Sequence, residues 1–123
     1  MLFVKVDIYK VAYYKSDNNI SDIRLKYMRD VKKKFSNMGW KAGLKHIKDL
    51  SKLQWIFDNS PDNKKGDEFI IRKFPKKVQF IKNSKIIAET NDPNIIDAAH
   101  DPWIGPRPVK KRVKKILLGL KKL

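Results

Sequence analysis

The hydrophobic positions of this 123-residue chain change their period along its first half. From Leu2 to Tyr14 apolar residues alternate with polar ones, and most are β-branched or aromatic, which predicts an N-terminal strand. Between Ile20 and Met38 the apolar residues recur every three or four positions, which predicts a helix that ends at Gly39. The same spacing from Trp40 to Phe57 predicts a second helix.

The second half of the chain predicts β-structure. Residues 59–67 have the composition of a loop, and residues 69–74 form a β-prone run that Pro75 ends. Two short apolar runs then flank the dipeptide Asn83-Ser84. Two such runs separated by two turn-forming residues are the strongest hairpin signal in the chain, so we expect a β-hairpin over 77–90.

A short helix and a proline-rich segment follow the predicted hairpin. Asp92 and Pro93 have the residue types of an N-cap and a first helical position, so a helix is expected to begin there. Residues 101–108 contain three prolines and a glycine. Because these residues interrupt regular structure, we expect an extended linker that Trp103 anchors.

Strands and helices in this order predict an α+β or α/β fold, with helices packed on one small mixed sheet. We expect three parts along the chain: a small domain over 1–100, the linker over 101–108, and a basic amphipathic tail helix over 109–123. No run approaches 18 apolar residues, so we expect no transmembrane segment. The N-terminus also lacks the pattern of a secretory signal.

Net charge changes this picture more than any motif does. The chain has 29 Lys and Arg against 13 Asp and Glu, a formal charge of +16, and no cysteine. Such an excess favours a polyanionic partner, most commonly a phosphate backbone and secondly an anionic membrane surface. The segment from Pro106 to Leu123 has no acid and eight basic residues, namely Arg107, Lys110, Lys111, Arg112, Lys114, Lys115, Lys121 and Lys122.

Two further sets of residues are candidate contact surfaces. Along the predicted second helix, four lysines recur at i, i+4, i+7 and i+11, namely Lys41, Lys45, Lys48 and Lys52. That stripe is either a solvated face or a face that contacts phosphates. The apolar side of the tail is predicted to meet protein, and it consists of Val109, Val113, Ile116, Leu117 and Leu120. Trp103 is predicted to dock either on its own domain or on a neighbour, whereas Trp40 and Trp55 are predicted core residues.

The residue types that carry catalysis are few and scattered. His46 is predicted to be a solvated surface residue, and His100 is predicted to lie at a helix end near Asp97. Neither has the further ligands that a metal or general-base site needs. Asp67 or Glu68, with Glu89 and a lysine, could imitate a nuclease site, although lysine is so common here that chance explains the coincidence. The glycines form no phosphate-binding loop. We therefore expect no catalytic site, metal or cofactor.

Two segments of the chain resemble a known family. The first is VDIYKVAYYKSDNNISDIRLKYMRD, with the pattern of a strand, a polar loop and a helix. The second is FIIRKFPKKVQFIKNSKIIAETNDPNIIDA, with a strand, a proline, a hairpin and a helix. In this order they resemble the redox-inactive thioredoxin-like domain of mitochondrial ribosomal proteins and complex I accessory subunits. The resemblance implies a thioredoxin-like fold, a structural role in a mitochondrial assembly, and no redox chemistry.

Charge, tail and resemblance together predict a non-catalytic structural subunit of a ribonucleoprotein, first of all a mitochondrial ribosomal protein that binds rRNA through lysine–phosphate and arginine–phosphate contacts. Its expected partners are rRNA or another nucleic acid and neighbouring proteins of a large assembly, with membrane contact as a weaker expectation. Two alternatives stay open: an accessory subunit of a mitochondrial respiratory or membrane complex, and a small phage-type DNA-binding or inhibitor protein. The expected location is mitochondrial, otherwise cytoplasmic.

Overall fold

The computed structural model describes residues 4–5 and 8–119. A six-stranded antiparallel sheet organises the chain, and the order of its strands in space is their order in sequence. The strands are β1 (Val4–Lys5), β2 (Tyr9–Lys15), β3 (Ser21–Tyr27), β4 (Glu68–Phe74), β5 (Lys77–Lys82) and β6 (Lys85–Thr90). The helices are α1 (Lys33–Gly43), α2 (Gln54–Asn59), α3 (Pro93–Ala98), α4 (Asp101–Ile104) and α5 (Lys111–Leu117), and a 3-10 turn spans Leu50–Leu53.

The α+β class and the second-half elements are confirmed. Strand β4 and the hairpin β5–β6 lie where the sequence predicts them, and Asn83 and Ser84 both have positive φ, 49° and 69°. Such a pair of left-handed residues matches the twist of the flanking strands. Asp92 caps α3 by accepting a hydrogen bond from the Asn94 amide at 2.9 Å. The sheet, however, is not mixed, because every strand pair is antiparallel.

The first part of the predicted 20–38 helix is wrong, because residues 21–27 form strand β3. Ile23, Leu25 and Tyr27 also alternate at period two, and all three are buried on the face of the sheet that the helices cover. Strand β3 pairs with both β2 and β4, so tertiary pairing decides between the two periods. Two strands, β1 and β2, replace the single N-terminal strand that the sequence predicts. The first of the two segments that resemble the thioredoxin-like family therefore contains the hairpin β2–β3 in place of the expected strand, loop and helix.

The predicted second helix over 40–57 is also wrong, because no single helix spans these residues. Helix α1 ends at Gly43, a loop follows, and helical structure begins again with the 3-10 turn at Leu50 and α2 at Gln54. A methyl group on Gly43 would overlap the Pro102 side chain, so the last residue of α1 lies in close contact with α4. The four lysines predicted as one stripe are all exposed but do not share a helix. Lys41 lies in α1, Lys45 and Lys48 in the following loop, and Lys52 in the 3-10 turn.

The expected extended linker is wrong for residues 101–104, which form α4 with Pro102 in its first turn, where proline is tolerated. Trp103 docks on its own domain: its indole N–H donates to the Tyr9 hydroxyl at 2.9 Å, and its ring meets Trp40 edge-on at 5.3 Å. The apolar side of the tail packs on the same core through Val113 and Ile116. Leu120, Lys121 and Lys122 lie outside the described residues.

One aromatic cluster fills the space between sheet and helices. Phe80 lies at its centre, with Trp40, Trp55 and Phe69 at centroid distances of 6.1, 4.8 and 5.1 Å. Trp40 is buried and Trp55 half-buried against the core, as the sequence predicts. Aromatic pairs of this kind add roughly 0.5–1.5 kcal/mol each beyond their buried area.

The opposite face of the sheet contains a buried carboxylate, Asp22. Arg72 forms a two-pronged pair with it at 2.9 and 3.0 Å, and Arg24 donates at 3.0 Å. Burial alone would raise the pKa of Asp22, but the hydrogen bonds from Arg72 and Arg24 outweigh burial and hold that pKa below its usual value. The carboxylate therefore stays ionised and ties β3 to β4.

The contact between α1 and α4 can be tested with two glycines of the same helix. We expect Gly43→Ala to lower the free energy of unfolding by about 2 kcal/mol, because the new methyl group overlaps Pro102. Gly39→Ala is the control: nothing lies within 4 Å of its added methyl group, and alanine favours a helix by about 0.5–1 kcal/mol. Urea unfolding measures both, and equal effects would show that the close approach of α4 is not a constraint.

His100 should make folding stability depend on pH. Burial lowers the pKa of His100 to about 4; a hydrogen bond to the Ile71 carbonyl and the Asp22 charge oppose this effect, and Lys73 adds to it. Above pH ~6.5 the imidazole ring is neutral in both the folded and the unfolded chain, so protonation of His100 does not reduce folding stability there. Between pH ~6.5 and 4 only the unfolded chain takes up the proton, so stability falls as the pH falls, by up to about 3 kcal/mol.

Urea titrations at a series of pH values measure this slope. His100→Gln keeps a donor for the Ile71 carbonyl but does not titrate, so its stability should vary less over the same range. An unchanged slope in the variant would assign the pH dependence to other groups.

Candidate ligand-binding cavity

A cavity of about 270 Å³ lies between the helix-covered face of β2–β4 and helices α1, α4 and α5. Aromatic and aliphatic side chains form most of its wall. From the sheet these are Tyr9, Leu25, Tyr27 and Phe69, and from the helices Phe35, Trp40, Trp103 and Val113. The volume lies just below the usual range of small-molecule sites, roughly 300–1,000 Å³, so the cavity suits a ligand of modest size.

The pairing register of strands β2, β3 and β4 determines which side chains of the sheet line the cavity. Tyr9 pairs with Tyr27 across β2 and β3, and Leu25 pairs with Phe69 across β3 and β4. Residues opposite one another project on the same face of a sheet, so all four side chains point to the helices. The Tyr9 and Tyr27 rings meet edge-on with their centroids 5.7 Å apart, and both residues belong to the cavity wall.

Asn63 is the most unusual residue of the wall. Its backbone exchanges two hydrogen bonds with Val31, at 2.7 and 2.8 Å, which fixes the loop before β4 against the chain before α1. The residue is only 2% exposed, and neither Oδ1 nor Nδ2 of its amide has a hydrogen-bond partner. Leaving buried polar atoms unpaired costs about 1–3 kcal/mol each, so a rigid loop holds an unsatisfied amide at an apolar cavity.

Ser36, in the first turns of α1, has a buried hydroxyl that also lacks a partner. Ser36 and Asn63 both lie close enough to the Tyr27 hydroxyl to lower its pKa by weak hydrogen bonding, although neither forms a hydrogen bond of good geometry with it. Burial raises the pKa of Tyr27, the neighbouring Tyr9 adds to the rise, and Ser36 and Asn63 oppose it. Burial also raises the pKa of Tyr9, whereas the hydrogen bond from Trp103 opposes that rise. Both phenols therefore stay protonated at neutral pH, and the cavity has a polar end built from hydroxyl and amide groups.

This arrangement can hold a ligand that is mostly apolar and carries one oxygen-containing group. Tyr27, Ser36 and Asn63 offer donors to such a group, and Lys110 is the cationic side chain of the wall. No cluster of three or more potential metal ligands occurs among residues 4–5 and 8–119. Neither histidine belongs to the wall.

The two histidines have structural partners. His46 is not a solvated surface residue as predicted, because it is half-buried and its Nε2 lies 2.7 Å from the Asp101 carboxylate at the start of α4. His100 is buried at 4% exposure, and its Nε2 donates to the Ile71 carbonyl at 2.8 Å rather than pairing with Asp97. Both interactions join the C-terminal helices to the rest of the fold.

The residues predicted for the tail divide into two groups. Val109, Lys110 and Val113 line the cavity together with Trp103, whereas Ile116 and Leu117 pack in or against the core. Of the basic residues, Lys114 is half-buried and donates to the Gly105 carbonyl at 2.6 Å. The exposed ones among the described residues are Arg107, Lys110, Lys111, Arg112 and Lys115.

Sequence analysis missed Tyr9, Tyr27, Ser36 and Asn63. Tyr27 fell within the part of the predicted helix that is in fact strand β3, Ser36 within the part that α1 confirms, and Asn63 within a segment with loop composition. These four residues lie on four separate segments of the chain, so no local spacing marks them. A polar residue in an otherwise ordinary loop becomes informative only when its burial is known.

Comparison with solved structures finds a similar fold in a crystal structure of a fatty-acid-binding protein from Arabidopsis thaliana. The TM-score is 0.63 and the sequence identity 14%, over 83% of this chain and 56% of that one. The chain thus spans little more than half the length of that protein. No protein-family profile matches the sequence, and no curated protein sequence matches it. At this identity the likeness establishes the fold.

The comparison overturns the predicted function. We expected a ribosomal, rRNA-binding subunit, yet the solved protein of similar fold is a fatty-acid-binding protein. The four lysines predicted as one stripe do not share a helix face, and the apolar side of the tail meets protein by packing on the core of its own chain. Within the described part of the chain, no helix has the length and apolar character needed to cross a membrane.

Two serines of the cavity wall test whether its polar end is unsatisfied. The buried Ser60 hydroxyl donates to the Ile56 carbonyl at 2.8 Å, so Ser60→Ala should lower the free energy of unfolding by about 1 kcal/mol. Ser36→Ala removes a buried hydroxyl without a partner and should leave stability unchanged or raise it slightly. Chemical denaturation measures both, and a clear loss for Ser36→Ala would reveal a hydrogen bond there.

Proposed function

We propose that the chain binds a small amphipathic molecule of the fatty-acid class, with one acyl chain in the apolar part of the cavity and its carboxylate at the polar end. The observation that carries this proposal is the unpartnered Asn63 amide, buried at an otherwise largely apolar wall beside the unpartnered Ser36 hydroxyl. A ligand oxygen there would satisfy donors that the protein leaves free.

The energetics favour a single acyl chain. Each methylene group moved from water into an apolar site contributes about 0.8 kcal/mol. A cavity of about 270 Å³ holds a chain of limited length and leaves no room for a two-chain lipid. The similar fold of a fatty-acid-binding protein supports the same ligand class.

The polar end favours a carboxylate over a cationic group. Tyr27 stays protonated because burial raises its pKa, so its hydroxyl can donate to an anion. Ser36 and the Asn63 amide supply further donors, and the Lys110 ammonium group adds positive charge at the wall. A buried carboxylate that accepts several hydrogen bonds also keeps its ionised form.

Calorimetric titration with decanoate, decanol and decylamine tests the proposal. We expect decanoate to bind most tightly and decylamine least, because the lining residues include the Lys110 ammonium group and no Asp or Glu. Gly39→Phe should weaken decanoate binding about tenfold or more, which corresponds to ~1.4 kcal/mol. Gly39 lines the cavity and nothing lies within 4 Å of an added Cβ, so we expect a phenyl ring attached there to reduce the space that is open to a ligand.

Ala42→Phe is the matched control, since Ala42 is exposed on the same helix and does not line the cavity. It should bind decanoate as the unmodified protein does. Equal affinity of both variants, or no decanoate binding by the unmodified protein, contradicts the proposal.

A further inference from the structure

The opening of the cavity is bordered by residues that line it and yet are exposed. Phe35 is 57% exposed and Val109 50%, and both belong to the cavity wall, as do the exposed Gly39 and Lys110. We call Phe35, Gly39, Val109 and Lys110 the rim. Met38, 60% exposed, lies three positions after Phe35 on α1 and extends the apolar surface beside the rim.

Exposed apolar side chains are common singly, but a group of them around a cavity is a mark of an interaction site. Phe35 and Val109 come from segments far apart in sequence and border the same cavity because α4 packs against α1. The Val109 amide donates to the Pro102 carbonyl at 2.8 Å, and Pro102 packs on Gly43 of α1. The rim is therefore held by the same contact that closes the cavity.

The segments that form the rim are strongly cationic. Residues 31–48 and 102–119 contain no Asp or Glu. Their basic residues are Lys32, Lys33, Lys34, Lys41, Lys45, Lys48, Arg107, Lys110, Lys111, Arg112, Lys114 and Lys115. Two carboxylates reach these segments: Asp62 accepts from the Lys33 amide, and Asp101 pairs with His46. The exposed lysines beside the rim include Lys34, whose ammonium group lies 5.7 Å from the Phe35 ring centroid.

We infer that the rim docks on an anionic lipid bilayer, so that a fatty acid passes between the membrane and the cavity without crossing water. This inference rests on the proposed ligand class. Lys34, Lys111 and Arg112 attract the anionic surface, and Phe35, Met38 and Val109 enter the interface between headgroups and acyl chains. Basic and apolar side chains on one surface are the usual requirements for peripheral membrane binding.

The apolar rim distinguishes a bilayer from a nucleic acid as the partner. Phosphate backbones are bound by lysine and arginine together with hydrogen-bond donors, and single-stranded bases stack on aromatic rings. Met38 and Val109 serve neither purpose, whereas both are suited to the interfacial region of a membrane. The rim also opens directly into the cavity, which gives the membrane contact a purpose.

Vesicle co-sedimentation of the full chain tests the inference, with phosphatidylcholine vesicles and with vesicles that also contain phosphatidylserine. We expect binding only to the anionic vesicles, and weaker binding as salt is added. The variant Lys34→Gln/Lys111→Gln/Arg112→Gln should lose about fivefold in affinity for each charge removed. Its control, Lys10→Gln/Lys26→Gln/Lys85→Gln, changes the net charge equally at exposed positions on the sheet, away from the rim, and should bind nearly as the unmodified chain does.

A second pair of variants tests the apolar part. Met38→Ser should weaken vesicle binding, whereas Ile86→Ser, at a 54% exposed position on β6, should not. Equal losses for both triple variants, or for both serine variants, would overturn the inference. A gel shift with a short RNA that requires Lys34, Lys111 and Arg112, while vesicle binding does not, would also overturn it.

Calorimetric titration of the same variants with decanoate separates this inference from the proposed function. None of the substituted residues lines the cavity, so decanoate affinity should be unchanged. Decanoate binding without vesicle binding refutes only the membrane inference. Failure of the unmodified protein to bind decanoate refutes the proposed function, whatever the vesicles show.

Discussion

The structure depends on one long-range connection, in which the C-terminal segment is bound back across the beginning of the sheet. The Trp103 indole donates to the Tyr9 hydroxyl at 2.9 Å, and its ring meets Trp40 edge-on. Pro102 lies against Gly43, where any side chain would collide with it. Because these contacts join β2, α1 and α4, they create the enclosed space that neither the sheet nor any helix could form alone.

The polar groups at the cavity lower the stability of the fold, and packing of the core does not require them. Asn63 and Ser36 together leave three buried polar atoms without a hydrogen bond of good geometry, at a cost of up to about 1–3 kcal/mol each, whereas the total stability of a folded domain is usually only about 5–15 kcal/mol. Apolar residues at these positions would remove the cost. Natural proteins accept such local penalties mainly where function requires a preformed site. Packing alone could explain the apolar wall, so the convergence of these polar groups at one cavity is the better evidence for a ligand.

The sequence predicts elements whose signals are local and misses those that long-range pairing decides. Asn83-Ser84 sets the hairpin, and Asp92 with Pro93 sets the start of α3, because the turn and cap chemistry acts within a few residues. Ile23, Leu25 and Tyr27 fit both a strand and a helix period, and only pairing with β2 and β4 resolves the ambiguity. The cavity wall could not be predicted, since Tyr27, Ser36 and Asn63 converge only after that pairing forms.

The contacts of the acidic residues change the interpretation of the large positive charge. Most carboxylates with assigned contacts serve the fold: Asp22 binds two arginines, Asp92 caps α3, Asp49 caps the 3-10 turn, and Asp67 accepts from the Lys64 amide in a loop. The acids are thus used internally, while the lysines and arginines beside the rim face solvent without a matching acid in their own segments. Net charge alone indicated a polyanion and suggested nucleic acid. Its position beside exposed apolar side chains, at the opening of a cavity, favours an anionic lipid surface, because only that partner uses charge, apolar rim and cavity together.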